Sequence, residues 1–381
     1  MTPDRLSVTA VTPFATDGGG SEQWLLSLVR NAQRLRFRVI VMQQGPLVGL
    51  LREAGAEVVE LPTGADALAL ARAGRAVLAD LRAHRPDVVM GNGVKAQLAI
   101  TGPAKMLGLP TAWVKHDHSF DSSLARPLGR LAQQVVATAA EVGEAVERPD
   151  VVVVEPERPP QPLGSEAAQR ALAELGIHTR GNRMTLAMVG RLVPYKGVDI
   201  GISALAYPAS EGWDLMIIGG DDPATPGEGA RLARLAAELE VGDRVQFAGP
   251  VPHASRYLAA FDALAVLTRP GQAGAPQREG YGITATEAML ASIPVVVAGE
   301  GPIARRLRTG SGPAGLVVRP ADPLATAVAL RQLSDPAVRF GMGQRGQQRA
   351  SSLPSATDVA EAMTRVLQQA AARGGAFALP G

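Results

Sequence analysis

The feature that most constrains the fold is a regular alternation between short runs rich in β-branched residues and longer amphipathic runs. Short runs recur through the first half, from Leu6–Thr12 to Val151–Val154, and through the second, from Met184–Val189 to Gly315–Val318. In such an alternation each helix returns the chain to the start of a parallel neighbouring strand. The pattern therefore predicts an α/β protein with parallel sheets.

The amphipathic runs predict the helices. A strand is expected at Val39–Met42, and the last helical run, Ala356–Ala372, is expected to pack back on the first domain. The first-half helices are expected at Ser21–Leu35, Asp66–His84, Lys95–Leu107 and Ala139–Glu147.

A proline-rich stretch separates the two halves. Glu155–Gly164 holds four prolines between positions 156 and 162, a density that continues neither helix nor sheet. We therefore predict a first domain at 1–160, a second at 161–350, and a C-terminal helix and tail at 351–381.

Composition excludes several kinds of site and partner. The chain has no cysteine, which rules out disulfides, thiolate metal sites and a cysteine nucleophile. The longest apolar runs have the length of a strand, far short of the roughly 18 residues of a membrane span, and the first residues do not fit a signal peptide. A net charge of +2 and 4% aromatic residues disfavour nucleic acid. We expect a cytoplasmic protein.

Two polar motifs follow strands of the first half. Asp17–Glu22 contains three consecutive glycines, which permit close backbone approach, before a helix N-terminus that favours an anion. His116-Asp117-His118 follows the strand Thr111–Lys115, at the sheet edge where ligands bind. A plain flexible turn and a hydrogen-bonding cluster are the alternatives, and two histidines without a third ligand are a weak metal motif.

A cationic motif follows the first strand of the second half. That strand ends at Gly190, and Arg191 and Lys196 follow around a proline turn. Two fixed cations at this spacing suit a diphosphate, since arginine offers a planar fork and lysine a point charge. Two surface cations on a solvated turn are the alternative.

A second motif, Arg278–Leu290, combines two glutamates with a glycine-rich turn. Glu279 precedes Gly280-Tyr281-Gly282-Ile283, and Glu287 follows inside a helix that we expect Thr284 or a neighbour to cap. The helix N-terminus provides a second anion site, and the carboxylates can contact different parts of one elongated ligand. Two solvated carboxylates are the alternative.

Together these motifs resemble glycosyltransferase family 4. The resemblance is carried by Gly190-Arg191 with Lys196-Gly197, the interval from Glu279 to Glu287, and Pro294–Val297 followed by Gly299 and Gly301. It implies retaining enzymes of the GT-B fold, in which two facing Rossmann-like domains hold a nucleotide-sugar in their cleft. It also implies that no metal or other cofactor is needed.

The resemblance implies a role for each motif residue. Arg191 and Lys196 would hold the donor diphosphate, and His116 would lie at the reactive face of the sugar. Glu279 would contact the donor sugar and Glu287 the ribose hydroxyls. The predicted catalytic residues are therefore His116, Arg191, Lys196 and Glu279. The other predicted donor-binding residues are Gly19, Gly20, Gly190, Gly280, Tyr281, Gly282, Ile283, Glu287 and Val251.

Two segments depart from the family pattern. Thr268–Arg278 is longer than the usual short turn before the first glutamate, and we expect a flap that shapes donor choice. Val154-Glu155-Pro156 replaces the usual Asn-Gly-Val-Asp end of the first domain.

The sequence thus predicts a retaining glycosyltransferase that moves a sugar from a UDP- or GDP-sugar to a small soluble acceptor, such as an aminocyclitol or another specialised metabolite. A lipid or polysaccharide-precursor acceptor at the membrane surface is an alternative, since the arginines of Ser21–Arg38 and Asp66–His84 could rest on anionic lipid, but membrane association is not favoured. A nucleotide-sugar epimerase and a non-catalytic nucleotide-sugar-binding protein are further alternatives. The motifs leave the donor nucleotide and the oligomeric state open.

Overall fold

The computed structural model describes residues 5–16, 19–63, 67–223, 225–269 and 280–375, with side chains left out at 67–71 and 374–375. The chain divides into two compact units. Met1–Glu157 and Pro354–Gly381 form the first unit, and Arg158–Leu353 forms the second. The predicted limits at 160 and 350 fall close to this division.

The described strands form two sheets, and their pairing is parallel throughout. The first sheet has the order β3-β2-β1-β4-β5-β6-β7 and the second the order β10-β9-β8-β11-β12-β13. The strands are β1 (Leu6–Thr12), β2 (Leu35–Val41), β3 (Glu57–Glu60), β4 (Val88–Asn92), β5 (Thr111–Lys115), β6 (Gln134–Ala137), β7 (Val152–Val153), β8 (Met184–Val189), β9 (Trp213–Ile218), β10 (Val245–Gly249), β11 (Ala263–Val266), β12 (Val295–Ala298) and β13 (Gly315–Val318).

Helices connect the strands, as the alternation predicts. They are α1 (Gly20–Asn31), α2 (Leu47–Glu53), α3 (Ala67–His84), α4 (Val94–Leu107), α5 (Ala125–Leu131), α6 (Ala140–Gly143), α7 (Ser165–Glu174), α8 (Val198–Leu205), α9 (Glu228–Glu238), α10 (Ile283–Leu290), α11 (Pro302–Arg308), α12 (Pro323–Leu333), α13 (Pro336–Ser351) and α14 (Ala356–Gly375).

The predicted helix at 21–35 is wrong at its C-terminal end. α1 ends at Asn31, and β2 begins at Leu35 rather than Val39. Leu35 and Phe37 are buried while Arg36 is exposed, a period of two that marks a half-buried strand. The arginines after α1 therefore form no basic helix face, and this removes part of the argument for a lipid surface.

The last helix is part of the first unit, as predicted. Val359, Met363, Val366 and Leu367 of α14 are all buried in the core that also holds residues of α1 and of the first sheet. Burying each such side chain contributes about 1.5–3 kcal/mol. Residues far apart in the chain therefore stabilise one core.

Candidate functional site

The second sheet contains a topological switch point between β8 and β11. From β8 the chain proceeds outward to β9 and β10, then returns to the other side of β8 as β11 and continues to β12 and β13. At such a point the connections leave in opposite directions and open a crevice beyond the carboxyl ends of the strands. Ligands of parallel α/β sheets bind there.

A pocket lies at this switch point. Its walls come from the carboxyl ends of β8, β9 and β11, from the turn after β8, and from the start of α10. The lining residues are Met188, Val189, Gly190, Arg191, Leu192, Lys196, Val198, Ile217, Ala265, Val266, Gly282, Thr284 and Ala285. Four predicted site residues, Gly190, Arg191, Lys196 and Gly282, therefore lie together.

Close backbone contacts join the segments around the pocket. A Cβ at Gly219 would lie 1.9 Å from the carbonyl oxygen of Gly190, and a Cβ at Gly197 would lie 2.1 Å from the carbonyl oxygen of Leu267. Both glycines also have positive φ, at +154° and +71°. Only glycine permits this approach between the segments that follow β8, β9 and β11.

The two predicted cations differ in their surroundings. Arg191 is 67% exposed and forms an ion pair with Asp222, whose side chain is 9% exposed. Lys196 is partly buried at the end of a 3-10 turn, Pro194–Lys196, with its Nζ 5.8 Å from the centroid of the Tyr195 ring. The guanidinium has five donors, so its pairing with Asp222 leaves donors for a phosphate.

The start of α10 is rigidly packed. Gly282 holds the N-cap position with φ +78°, and a Cβ there would lie 2.1 Å from Ile303 Cδ1. Of Thr284 and its neighbours, Gly282 holds the cap position, and no side chain of the described residues caps the helix by a hydrogen bond. The Thr286 hydroxyl bonds the Gly282 carbonyl at 3.1 Å, and Arg306 donates to that hydroxyl at 2.9 Å. The helix N-terminus at the pocket is therefore held by glycine packing and a buried arginine.

Aromatic contacts hold the residues before α10. The guanidinium carbon of Arg306 lies 4.2 Å from the centroid of the buried Tyr281 ring. Gly280 and Ile283 flank this segment, while predicted Glu279 and most of the predicted flap, residues 270–278, lie outside the described residues.

Glu287 lies on α10, partly buried and one turn beyond the pocket. Burial raises the pKa of its carboxyl group, and a hydrogen bond from Ser255 opposes this effect in part. Ser255 belongs to the 3-10 turn Ala254–Ala260. The predicted site residue Val251 comes just before this turn and is partly buried against the hydrophobic core that contains residues of α10. Glu287 is thus a carboxylate held where its charge is disfavoured, which is typical of functional sites.

In the first sheet the switch point lies between β1 and β4, next to β5. His116 follows β5, with its Nε2 2.6 Å from Asn92 Oδ1. Asn92 Nδ2 donates to the Ser21 carbonyl at 3.1 Å, and because a carbonyl only accepts, Oδ1 must face the imidazole. His116 Nε2 therefore carries the proton, and Nδ1 keeps its lone pair.

The environment of His116 keeps the ring neutral. Burial lowers the pKa of His116 to about 4, with Asp117 opposing and Lys115 adding to the effect. The Trp24 ring meets the imidazole edge-on, with centroids 5.2 Å apart. At neutral pH this histidine is an oriented hydrogen-bonding group and a weak base.

A buried polar cluster supports the loop after β5. Lys115 is fully buried, and its Nζ lies 2.5 Å from Asp121 Oδ1. His118 is also buried and bonds Asp121 Oδ2 at 3.0 Å, while Asp117 Oδ1 accepts from the Ser119 amide at 2.8 Å. His118 thus belongs to the hydrogen-bonding cluster that was the alternative to a site.

The predicted anion site at the first glycine loop is occupied by the chain's own carboxylate. Glu22 is 4% exposed at the N-terminus of α1 and accepts hydrogen bonds from the hydroxyls of Thr16, at 2.9 Å, and Ser21, at 2.5 Å. A Cβ at Gly19 would lie 2.3 Å from Glu22 Oε2. Contact of Gly19 and Gly20 with the donor stays a prediction, and the local charge favours a neutral or cationic group.

Several partners of the site residues carry no local sequence signal. Asp222 pairs with Arg191 across 31 positions, Asn92 with His116 across 24, and Arg269 bonds Pro194 across 75. A lysine that ends an otherwise apolar strand, as Lys115 does, was a usable sign of a buried ion pair. The others follow only from the order of strands in the sheets.

Neither a membrane-spanning helix nor a metal-ligand cluster occurs in the described part of the chain. No helix there combines the length and the apolar character of a membrane span. Within the same described residues, no three histidine or acidic side chains are grouped as metal ligands would be.

The family described as glycosyl transferases group 1 matches residues 176–349. This segment contains the described pocket and the motifs at Gly190–Lys196 and Gly282–Glu287.

Curated relatives resemble longer parts of the chain. D-inositol 3-phosphate glycosyltransferase of Kineococcus radiotolerans is 30% identical over 298 residues, 70% of this chain and 66% of the relative. The protein of the same name from Acidothermus cellulolyticus is 35% identical over 176 residues, 45% of this chain and 37% of the relative. The chain thus spans between about a third and two thirds of these relatives.

Solved structures share the fold over nearly the whole chain. Anabaena HepE in complex with UDP and glucose has a TM-score of 0.78 at 19% identity, covering 96% of this chain and 100% of HepE. Sucrose-phosphate synthase from Thermosynechococcus elongatus has a TM-score of 0.73 at 18% identity, covering 97% and 100%. The predicted fold of two Rossmann-like parallel-sheet units of GT-B type is confirmed.

Proposed function

The chain belongs to the glycosyl transferases of group 1 through residues 176–349, and on this premise we propose that it is a retaining glycosyltransferase. It moves a sugar from a UDP- or GDP-sugar to a small acceptor. The observation that carries the proposal is the pocket at the switch point of the second sheet, which collects Gly190, Arg191, Lys196 and Gly282. Cations and a helix N-terminus around one crevice suit a diphosphate.

In the proposed reaction the bond between the anomeric carbon and the diphosphate breaks through an oxocarbenium-like state. The leaving diphosphate gains negative charge as the bond lengthens, and Arg191, Lys196 and the N-terminus of α10 stabilise that charge. Donors that are already oriented in the free enzyme need no reorganisation during the reaction. The packing of Gly282 against Ile303 provides such orientation at α10.

Retention follows if the acceptor hydroxyl attacks the face that the leaving group vacates and gives its proton to the leaving phosphate. This route requires no protein base. With a pKa of about 4, His116 would be a poor general base at neutral pH, but its Nδ1 lone pair can accept a hydrogen bond from a substrate hydroxyl. No metal or other cofactor enters the proposal, in which the nucleotide-sugar is a co-substrate.

The comparisons support a nucleotide-sugar donor and a polyol acceptor. The HepE structure holds UDP and glucose, and the curated relatives are named for transfer to an inositol phosphate. For this chain we propose an acceptor that is a neutral or amine-bearing polyol, such as an aminocyclitol, used in the cytoplasm. Asn92 links the Ser21 carbonyl, next to the buried Glu22, to His116. The carboxylates of Glu22 and Asp117 support this choice, because both would repel a phosphate.

Ligand binding is tested first. A thermal-shift panel of UDP, GDP and ADP should show one nucleotide that adds ~2.7 kcal/mol of stability at ~100 times its dissociation constant. A panel in which no nucleoside diphosphate raises the melting temperature contradicts the proposal.

Sugar transfer is tested with nucleotide-sugars that contain the nucleoside diphosphate found to bind. Release of nucleoside diphosphate is measured without acceptor and with an aminocyclitol, an inositol or an inositol phosphate. Release that depends on the aminocyclitol or inositol supports the proposal. Equal release with and without acceptor indicates hydrolysis, and a preference for the inositol phosphate contradicts the proposed acceptor.

A further inference from the structure

Arg269, which follows β11, bonds the turn that carries Lys196. Its backbone amide donates to the Tyr195 carbonyl at 2.8 Å, and its Nη2 donates to the Pro194 carbonyl at 2.5 Å. Its Nη1 lies 2.9 Å from Asp199 Oδ2 in the first turn of α8. One residue therefore holds two successive carbonyls of the 3-10 turn and the helix that follows.

The ion pair between Arg269 and Asp199 is shielded but incompletely satisfied. The two side chains are 15% and 17% exposed. Arg269 Nε and Asp199 Oδ1 are buried and have no hydrogen-bond partner among the described residues. A buried pair with orphaned atoms is a poor source of stability, because desolvation offsets much of the attraction. The ion pair therefore contributes more by fixing the conformation of the Pro194–Lys196 turn than by adding stability.

The backbone before Arg269 is packed tightly against the backbone after Lys196. The Leu267 carbonyl approaches Gly197 so closely that a Cβ there would lie 2.1 Å away. Residues 267–269 and 194–197 therefore pack as one block, and Lys196 extends from this block into the pocket lining. Arg269 is not among the residues that line the pocket, so it acts on a ligand through the turn.

We propose that Arg269, paired with Asp199, is a positioning residue for Lys196. It holds the 3-10 turn so that the lysine ammonium meets the diphosphate without reorganisation. The inference rests on the proposed function, since the position of Lys196 matters only if the pocket binds a nucleoside diphosphate.

A double-mutant cycle tests the proposal, with the dissociation constant of UDP (or of GDP or ADP, whichever binds the wild type most tightly) measured by calorimetry. Arg269→Ala is expected to weaken binding by about 2- to 160-fold, the range that corresponds to the coupling between contacting residues. In a Lys196→Ala background the same change should have no further effect. Arg269→Lys and Asp199→Asn, which keep most of the packing, should weaken binding by intermediate factors.

Arg244→Ala is the matched control. Arg244 donates to the carbonyls of Leu205, Ser210 and Trp213 in the same unit, and Trp213 begins β9, at the edge opposite the pocket. The control should lower the melting temperature and leave the nucleotide affinity unchanged.

Three outcomes overturn the inference. Arg269→Ala that lowers only the melting temperature, as the control does, shows a merely structural role. Additive losses in the double variant show that Arg269 acts independently of Lys196. If the wild-type protein binds none of the three nucleotides, the proposed function fails first, and the inference fails with it.

Discussion

Substitution of Glu287 by glutamine separates stability from binding. Burial raises the pKa of this carboxyl group, so the folded protein holds the charged form at a cost that Ser255 only partly offsets. In our proposal the carboxylate accepts the ribose hydroxyls of the donor. Glu287→Gln keeps the shape of the side chain and removes the charge.

The sign of the stability change follows from proton linkage. A raised pKa means that the folded state binds the proton more tightly than the unfolded state. Stability is therefore lost as pH rises from the ordinary glutamate value of about 4.3 through the folded-state pKa, and the loss is complete above it. The variant lacks this loss, so it should melt at a higher temperature than the wild type at neutral pH. The difference should vanish below pH ~4.

The binding change has the opposite direction. The carboxylate offers about four lone-pair sites, and the bond from Ser255 takes one, which leaves room for two ribose hydroxyls. A hydrogen bond to a charged group contributes ~1.5–3 kcal/mol. Loss of one such bond weakens nucleotide binding by ~10- to 160-fold.

The assays are differential scanning fluorimetry from pH ~4 to ~8 and calorimetry with UDP and with an analogue that lacks both ribose hydroxyls. The analogue should bind the variant and the wild type equally. Glu238→Gln, at an exposed position on α9, is the control and should change neither quantity. A variant that melts lower at neutral pH, or that loses the same affinity for the analogue as for UDP, would refute the reasoning.

Three further predictions concern the pocket and the first unit. Lys196→Ala should lower kcat by ~10²–10³ in a protein that melts normally, because loss of one oriented donor raises the barrier by ~2.7–4 kcal/mol; an unchanged kcat argues against the assignment. Because the pKa of His116 is lowered to about 4, the ring does not titrate near neutral pH. The pH profiles of kcat/KM for the wild type and for His116→Gln should therefore have the same shape near pH ~6.5. Gly219→Ala should cost more than ~2 kcal/mol in chemical denaturation, since the new Cβ would lie 1.9 Å from the Gly190 carbonyl oxygen. Gly220→Ala, where the nearest atom is 3.7 Å away, should be tolerated, and equal losses would contradict the packing argument.

Local pattern determined the elements of this protein. The described strands overlap the runs predicted from the sequence, with β2 displaced at its start, because a short buried strand needs only its own apolar residues and the turns that bound it. At the start of β2, Leu35–Arg38 has the alternating burial of a strand rather than the periodicity of a helix. Gly190, Arg191 and Lys196 were predictable site residues because they follow a strand directly, where parallel sheets place ligands.

The tertiary structure decided which groups these residues meet. The adjacency of β8 and β11 brings Arg269 to the turn of Lys196, and the adjacency of β4 and β5 brings Asn92 to His116. Strand order depends on which apolar faces are buried together across the whole domain, and a local window of sequence holds no record of it. The sequence therefore determined where chemistry could occur, and the packing of distant segments determined the charge, orientation and protonation of the groups there.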